Sequence, residues 1–470
     1  MVLGRIADGI VQGVEGATSG VTGLFTDPVV RLGVTGLARA GKTVFITSLV
    51  ANLLDRGRMP GLRGAASGAI RAAWLQPQPD DTVPRFGYER HLNALTGQPP
   101  AWPESTRAVS QLRLSFKVQS SGMLGALSGL RTVHLDIVDY PGEWLLDLGL
   151  MEQDYATWSA SVLSAASERR EAAAFLARLQ EIDASQKLAE PAAEALAAAY
   201  TDYLRQARKA GYSDCTPGRF LMPGELDGSP ALTFAPLPAG PAPRGSLARE
   251  MARRFEAYKS GVIRPFFREH FARIDRQVVL VDLLDAIHAG PRALADLGTG
   301  LNRTLQAFRP GRASWLGQLL GQRRVERVLL AATKADHLHH LQHQAMSDIL
   351  AAMLRQAKDR AEFAGAKTEA LSLAALRATV EEERLHGGET LPMVRGTLLD
   401  GRQAAMYPGR LPDDPARLLT AAANGAERWL DGDYSVMRFL PPGTPIRAGE
   451  GPPHIRLDKA AEFLIGDKLR

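Results

Sequence analysis

The chain has 470 residues, 45% apolar and 23% charged, a balance that fits two or three packed globular domains and excludes a disordered protein. Its 56 Lys and Arg against 51 Asp and Glu leave an excess of only +5, too small at this length to point to a nucleic-acid surface. Cys215 stands alone, which excludes an intrachain disulfide and a Cys-based zinc site, and no apolar run reaches the ~18 residues of a membrane-spanning helix.

Val2, Ile6, Ile10 and Val14 recur at helical spacing, so residues 1–30 read as an N-terminal helical segment. It lacks the basic start and continuous apolar stretch of a signal peptide, and its polar face carries few Lys or Arg. A cytoplasmic protein is expected, with membrane association at most peripheral, through residues 1–24 or through a partner.

RLGVT (31–35) is a short apolar strand that runs into GLARAGKT (36–43), and Val44, Ile46, Leu49, Val50 and Leu53 follow at helical spacing. Gly-x4-Gly-Lys-Thr between a strand and a helix is a phosphate-binding loop. Its glycines let the backbone curl so that successive N–H groups face one anion, and the helix adds its positive end. Lys42 supplies a charge to the outer phosphates and Thr43 a hydroxyl to Mg2+. The expected nucleotide contacts are Gly36, Ala38, Arg39, Ala40, Gly41, Lys42, Thr43 and Val44.

Residues 56–104, rich in Gly, Pro and Gln, read as an irregular excursion. WPESTRAVS (102–110) holds Thr106, the candidate switch threonine whose hydroxyl and carbonyl would reach the metal and the terminal phosphate. VSQLRLSFKV (109–118) and TVHLDIVD (132–139) read as two strands. The second ends in DYPGE: Asp139 is placed to hold Mg2+, usually through water in such proteins, and the N–H of Gly142 to meet the terminal phosphate.

From about 152 to 212 the composition turns to Ala, Leu, Glu, Gln and Arg, a helical segment interrupted near Pro191. A Pro/Gly-rich loop (214–247) containing an inert Cys215 and a helix at about 247–275 follow. Strand character returns at 277–285, 327–334 and 368–375, with helical patterns at about 290–308 and 338–361 between them. This alternation implies a mostly parallel sheet covered on both faces. The second of these strands ends in Thr-Lys-Ala-Asp. A carboxylate accepts both donors of the guanine edge, which explains Asp336, while the stem of Lys334 covers the base; adenine offers no such pair. The backbone N–H groups of Ala374 and Ala375 are candidates to meet the guanine carbonyl.

In the HLHHLQH run, His339 and His343 lie one turn apart, as a metal pair would, but an exposed helix start is the expected reading. Residues 376–455 are mixed, and the end of the chain is an amphipathic helix.

GLARAGKTVFITSLV, WPESTRAVSQLRL, LDIVDYPGEWLLDL, the TKAD stretch with its histidines, SLAALRAT and the closing PHIRLDKAAEFLIGDKL together resemble the YcjX-like P-loop proteins of proteobacteria. That family is similar to GTP-binding proteins with a Ras-like core and a large helical insertion, and is associated with bacterial stress responses, including the phage-shock response to envelope damage. The resemblance implies GTP/GDP and Mg2+ as cofactors. It also implies that Gly36, Lys42, Thr43, Thr106, Asp139, Gly142, Lys334 and Asp336 are the nucleotide and metal residues. Two departures from small GTPases are Glu143, where those enzymes often carry a water-orienting Gln, and Arg39 inside the phosphate loop, which is a candidate arginine supplied in cis.

The expected fold is thus an α/β, P-loop NTPase core with a Ras-like, mostly parallel sheet, divided over 31–150 and 276–470 by a helical insertion at 151–275, with an added region at about 376–455. The expected function is slow Mg2+-dependent GTP hydrolysis in a stress-response switch, with Glu143, Arg39 and Thr106 as the catalytic candidates. A protein partner is expected, the inner membrane being one place to meet it. The alternatives are a nucleotide-stabilised binding module without significant turnover and, were TKAD accidental, an ATPase.

Overall fold

A computed structural model describes residues 27–36, 39–104, 108–119, 129–212, 214–269, 271–306, 325–363, 365–429, 432, 434–443 and 447–470. The helix expected at the N-terminus lies outside the described residues.

Seven strands form the main sheet: β1 (Val29–Gly36), β2 (Ile70–Gln76), β3 (Ser110–Gln119), β4 (Leu130–Asp139), β5 (Arg276–Val281), β6 (Arg327–Ala332) and β7 (Lys367–Ser372). Their order is β2-β3-β4-β1-β5-β6-β7. The five from β4 to β7 run parallel, while β2, β3 and β4 pair antiparallel at one side. Val278–Val281 and Val328–Ala332 are unbroken buried apolar runs, as strands covered on both faces must be. Val278, Leu280, Leu329 and Ala331 belong to one core, and Val279, Val281, Val328 and Leu330 to another across the sheet. The fold class read from the sequence is the one observed.

Helix α1 (Lys42–Leu54) follows β1, and α2 (Tyr88–Thr96) lies in the stretch that composition marked as irregular. That stretch also contributes β2, so the expectation of an irregular 56–104 is corrected. β2 is an edge strand with two exposed and four half-buried residues, so it shows neither clean alternation nor an apolar run.

Between β4 and β5 come α3 (Tyr155–Ser167), α4 (Ala173–Gln180), α5 (Glu190–Lys209) and α6 (Leu247–Tyr258). The interruption expected near Pro191 is the loop at 181–189, and Pro191 itself sits in the first turn of α5, where no intrahelical N–H is needed. The helices share an aromatic core. Trp158 stacks on Phe255 at 4.9 Å and meets Phe234 and Tyr200 edge-on at 5.6 and 6.1 Å. The Pro/Gly-rich stretch before α6 contributes to it, with Phe234, Ala235 and Leu237 all buried.

The chain continues with α7 (Leu283–Ala289), α8 (Pro291–Gln306), α9 (His343–Met353) and α10 (Arg355–Phe363). After β7 a second sheet forms from β8 (Val380–His386), β9 (Glu389–Thr397) and β10 (Gln403–Met406), antiparallel in the order β10-β9-β8, followed by α11 (Ala416–Ala423). The terminal α12 (Leu457–Ile465) returns to the main sheet and packs in the core that holds α1. Arg276, 1% exposed, fastens it: the guanidinium donates to the Leu464 carbonyl at 3.0 Å and pairs with Asp467 at 3.0 Å and with Glu326. A buried guanidinium with this set of acceptors is compensated for its lost hydration. No helix among the described residues is long and apolar enough to cross a membrane.

One buried carboxylate tests the packing of the helical segment. Asp147 accepts from Tyr258 Oη at 2.5 Å and Gly218 N at 2.7 Å, and burial pushes its pKa up to about 6 despite those donors. A carboxyl raised on folding favours the native state below its unfolded pKa of about 3.9, and that contribution is lost as pH rises through about 6. An amide keeps the Gly218 contact and donates to Tyr258 without the charge. The stability of Asp147→Asn relative to wild type should therefore rise between pH 4.5 and pH 7, by up to roughly 2 kcal/mol. Thermal melts at the two pH values read it; a pH-independent difference would refute the assignment.

Candidate functional site

Parallel strands deliver their C-terminal ends to one edge of the sheet, and the candidate residues sit there. β1 ends at Gly36 and the chain turns through Arg39 (φ 65°) and Gly41 (φ 82°) into α1. Gly41 occupies the left-handed region that a β-carbon disfavours, which frees the loop to curl. No side chain caps α1 and its first turn holds no acidic residue. Its leading N–H groups and positive end are therefore available to an anion. Lys42 Nζ reaches back to the Gly36 carbonyl at 2.9 Å, and Thr43 is 6% exposed with Oγ1 3.4 Å from the Glu104 carbonyl.

β4 lies parallel to β1 with Asp139 opposite Val34, so a buried carboxylate ends beside the strand that carries the loop. The turn that follows packs directly on it. A β-carbon at Gly142 would run into the carbonyl of Gly36, so only glycine lets the two turns approach this closely. Glu143 faces a different neighbour. Its carboxylate is buried, and Arg208 Nη2 of α5 stands 2.9 Å from Oε1.

On the other side of β1, β6 ends in the TKAD turn. Thr333 donates both its N–H (2.9 Å) and its hydroxyl (3.2 Å) to the Val281 carbonyl, and Lys334 adopts φ 61° and pairs with Asp282. Asp336 is 4% exposed; its Oδ2 accepts from the Ala378 N–H at 2.9 Å, while its carbonyl accepts from Thr379 Oγ1. Ala374 and Ala375 lie close by, but the Ala374 N–H already donates to the Ile455 carbonyl at 3.1 Å. The donor role expected of Ala374 is therefore taken up within the protein, and Ala375 remains as its candidate.

A cavity of about 480 Å3 joins the two halves, within the range of small-molecule sites. Arg39, Ala40, Gly41, Lys42, Thr43 and Val44 line it at one end; Lys334, Asp336, Ala374 and Ala375 line it at the other. Asp139, Gly142 and Glu143 do not line it. Ala38 and Thr106 lie outside the described residues.

Several lining residues escaped the sequence reading. Asp282, the N-cap of α7, is the partner of Lys334 and sits at the end of an apolar strand, a signal visible in VLVD. Trp102 donates to the Phe439 carbonyl at 2.7 Å and His337 meets the Phe439 ring at 5.4 Å, so the added region forms a wall of the cavity. No local pattern marks that contact between residues 337 apart. Burial lowers the pKa of His337, so its ring is neutral at pH 7. The exposed helix start expected for HLHHLQH is corrected: His339 and His343 are buried and His337 is half-buried, while His340 is exposed, and His343 Nε2 lies 2.8 Å from the Ala335 carbonyl. Cys215 is buried with its thiol pushed up to about 12 by desolvation, which suppresses thiolate chemistry.

Comparison with known proteins places these motifs in context. The model of the YcjX-like family, DUF463, matches residues 30–469. The chain is 37% identical over 460 residues to the Escherichia coli (strain K12) protein named "Ras-like GTPase YcjX", covering 94% of this chain and 97% of the relative. It is 34% identical over 475 residues to the Shewanella oneidensis protein of the same name, covering 94% and 95%. The chain belongs to the YcjX-like family.

The close approach at Gly142 makes a prediction. Gly142→Ala should destabilise the protein by about 1–3 kcal/mol through overpacking against Gly36. Gly149→Ala, where nothing lies within 4 Å of a β-carbon, should change stability by less than about 0.5 kcal/mol. Denaturant unfolding of the pair reads the difference, and equal effects would refute the contact.

Proposed function

We propose, from membership in this family and from the site described above, that the protein binds guanine nucleotide with Mg2+ and hydrolyses GTP slowly as a switch. The observation that carries this reading is Asp336: a buried carboxylate, oriented by the Ala378 N–H, lining the same cavity as the phosphate loop. A carboxylate held in this way is paired by two base donors and is left facing an acceptor by adenine. Lys42 and the amides that lead into α1 bind the phosphates, and Lys334, steadied by Asp282, covers the base. Thr43 and Asp139 hold Mg2+, with Thr106 as a third candidate; Thr43 is buried in the first turn of α1 and Asp139 at the end of β4. The ion would neutralise charge on the phosphates. Arg39, exposed on the loop, is the candidate to share that task in cis.

Glu143 accounts for slowness. A carboxylate paired with Arg208 is not disposed to orient water, and releasing it costs the ion pair. The same observation favours a second reading, a nucleotide-stabilised module that reports to a protein partner without significant turnover. The link to a stress response and a protein partner at the inner membrane rest on the family resemblance, and the cytoplasmic location on the sequence reading of residues 1–30.

Calorimetry in Mg2+ tests the base. GDP should bind and ADP should not, and Asp336→Asn should weaken GDP by about 10- to 100-fold while gaining affinity for XDP. Equal binding of ADP would overturn the guanine reading. Single-turnover GTP hydrolysis by wild type and by Glu143→Gln separates the two readings. Measurable wild-type turnover supports the switch, with a fall of about tenfold or more in the variant marking a catalytic Glu143, and no turnover in wild type supports the module.

A further inference from the structure

Beside the base-reading turn, three side chains with metal-ligand chemistry converge. His339 and His340 follow the 3-10 turn Ala335–His337, and Glu381 comes from β8 of the second sheet. One ligand atom from each lies within 4.8 Å of the others. His340 Nδ1 stands 2.6 Å from Glu381 Oε2, and His339 Nε2 stands 3.6 Å from the same oxygen. The two imidazole rings face each other at 4.4 Å and 35°.

His339 makes this more than a surface cluster. It is 4% exposed, and its Nδ1 is buried without a hydrogen-bond partner among the described residues. Its Nε2 points at Glu381 from beyond hydrogen-bonding distance. A buried imidazole whose Nδ1 has no partner and whose Nε2 faces a carboxylate from 3.6 Å carries a desolvation cost, which a cation bound at Nε2 between the rings and the carboxylate would offset.

We propose that His339, His340 and Glu381 form a binding site for a first-row transition-metal ion, with Zn2+ as its natural occupant. Tetrahedral zinc with bonds of about 2.0–2.1 Å to nitrogen and oxygen sets its ligands about 3.4 Å apart. The His339–Glu381 separation of 3.6 Å already matches this. The His340–Glu381 pair must open from 2.6 Å, which the exposed ring of His340 permits by side-chain rotation. Two imidazoles and one carboxylate select zinc and its neighbours over Mg2+, which prefers an all-oxygen shell. The fourth position opens to solvent on the His340 side, where water completes the shell. Arg377 Nη2, 3.6 Å from Glu381 Oε1, steadies the carboxylate from outside.

The placement gives the ion a structural consequence. Glu381 lies directly after Ala378 and Thr379, the residues that hold Asp336, while the two histidines lie directly after the turn that carries it. A metal at this site cross-links the two segments that position the base-reading carboxylate. The site itself stands on its own ligands and does not depend on which nucleotide the cavity accepts.

The test is a Co2+ titration of the full-length, tag-free protein followed by visible absorption, with Zn2+ affinity measured by calorimetry and by displacement of Co2+. One ion per chain with a tetrahedral cobalt spectrum is expected. His340→Ala and Glu381→Gln should each weaken binding by at least about tenfold, and His386→Ala, an exposed histidine further along β8, should leave it unchanged. His340 is 62% exposed, so its removal should leave the metal-free melting temperature unaltered. Wild type binding no more tightly than Glu381→Gln, or a loss of binding as large in His386→Ala, would overturn the proposal.

Discussion

β1 hydrogen-bonds in parallel to β4 on one side and to β5 on the other, with Val34 opposite Asp139 and Gly36 opposite Leu280. Parallel pairing forces every strand of the group to finish at the same edge, so the phosphate loop, the Asp139 turn and the Asp282–Lys334 pair emerge side by side. Residues separated by 100 to 300 positions thereby share one edge of the sheet. The crowding this imposes explains the two backbone solutions seen there: a left-handed Gly41 where the loop curls, and a Gly142 whose missing β-carbon admits the carbonyl of Gly36.

The same edge meets the helical segment. The chain leaves Asp139 and enters an aromatic core at once: Tyr140 and Trp144 are buried, and Arg219 lies over the Trp144 ring at 3.1 Å. Gly218 sits so close to the Glu143 carbonyl that a β-carbon would collide with it, and Arg208 of α5 holds the Glu143 carboxylate. Any rearrangement of the turn at 142–146 must therefore displace packed side chains of the helical segment. Close-packed interiors respond to such displacements by discrete rearrangement rather than smooth deformation. This gives the proposed switch a route from the phosphate end of the cavity to the helices.

At the TKAD end of the cavity the economy is one of buried polar groups. Asp336, His339 and His343 all follow within eleven residues of β6 and all lose their water. Most recover it internally: Asp336 from Ala378, and His343 from two backbone carbonyls. His339 does not, and it is the residue whose environment asks for a ligand. The second sheet and the segment around Phe439 close this end, so the region added after β7 is part of the cavity wall rather than an appendage.

What the sequence determined by itself was everything written in short-range pattern. Apolar runs located β1, β4, β5 and β6. The strand–GLARAGKT–helix series located the loop and α1, and TKAD at a strand end located the base-side turn. Each of these is a local rule acting within about ten residues, where backbone geometry and side-chain chemistry are coupled. Only the tertiary structure decided the rest, because it depends on neighbours that sequence distance conceals. β2 was missed because an edge strand is half-buried and carries no periodic signal. Glu143 turns to Arg208, Ala374 spends its N–H on Ile455, and His339 and His343 are buried, each through a contact made by a distant segment or by the turn folding back. Burial is a property of the assembled chain, and it decides whether a polar residue is a solvated ornament, a structural tie or a ligand.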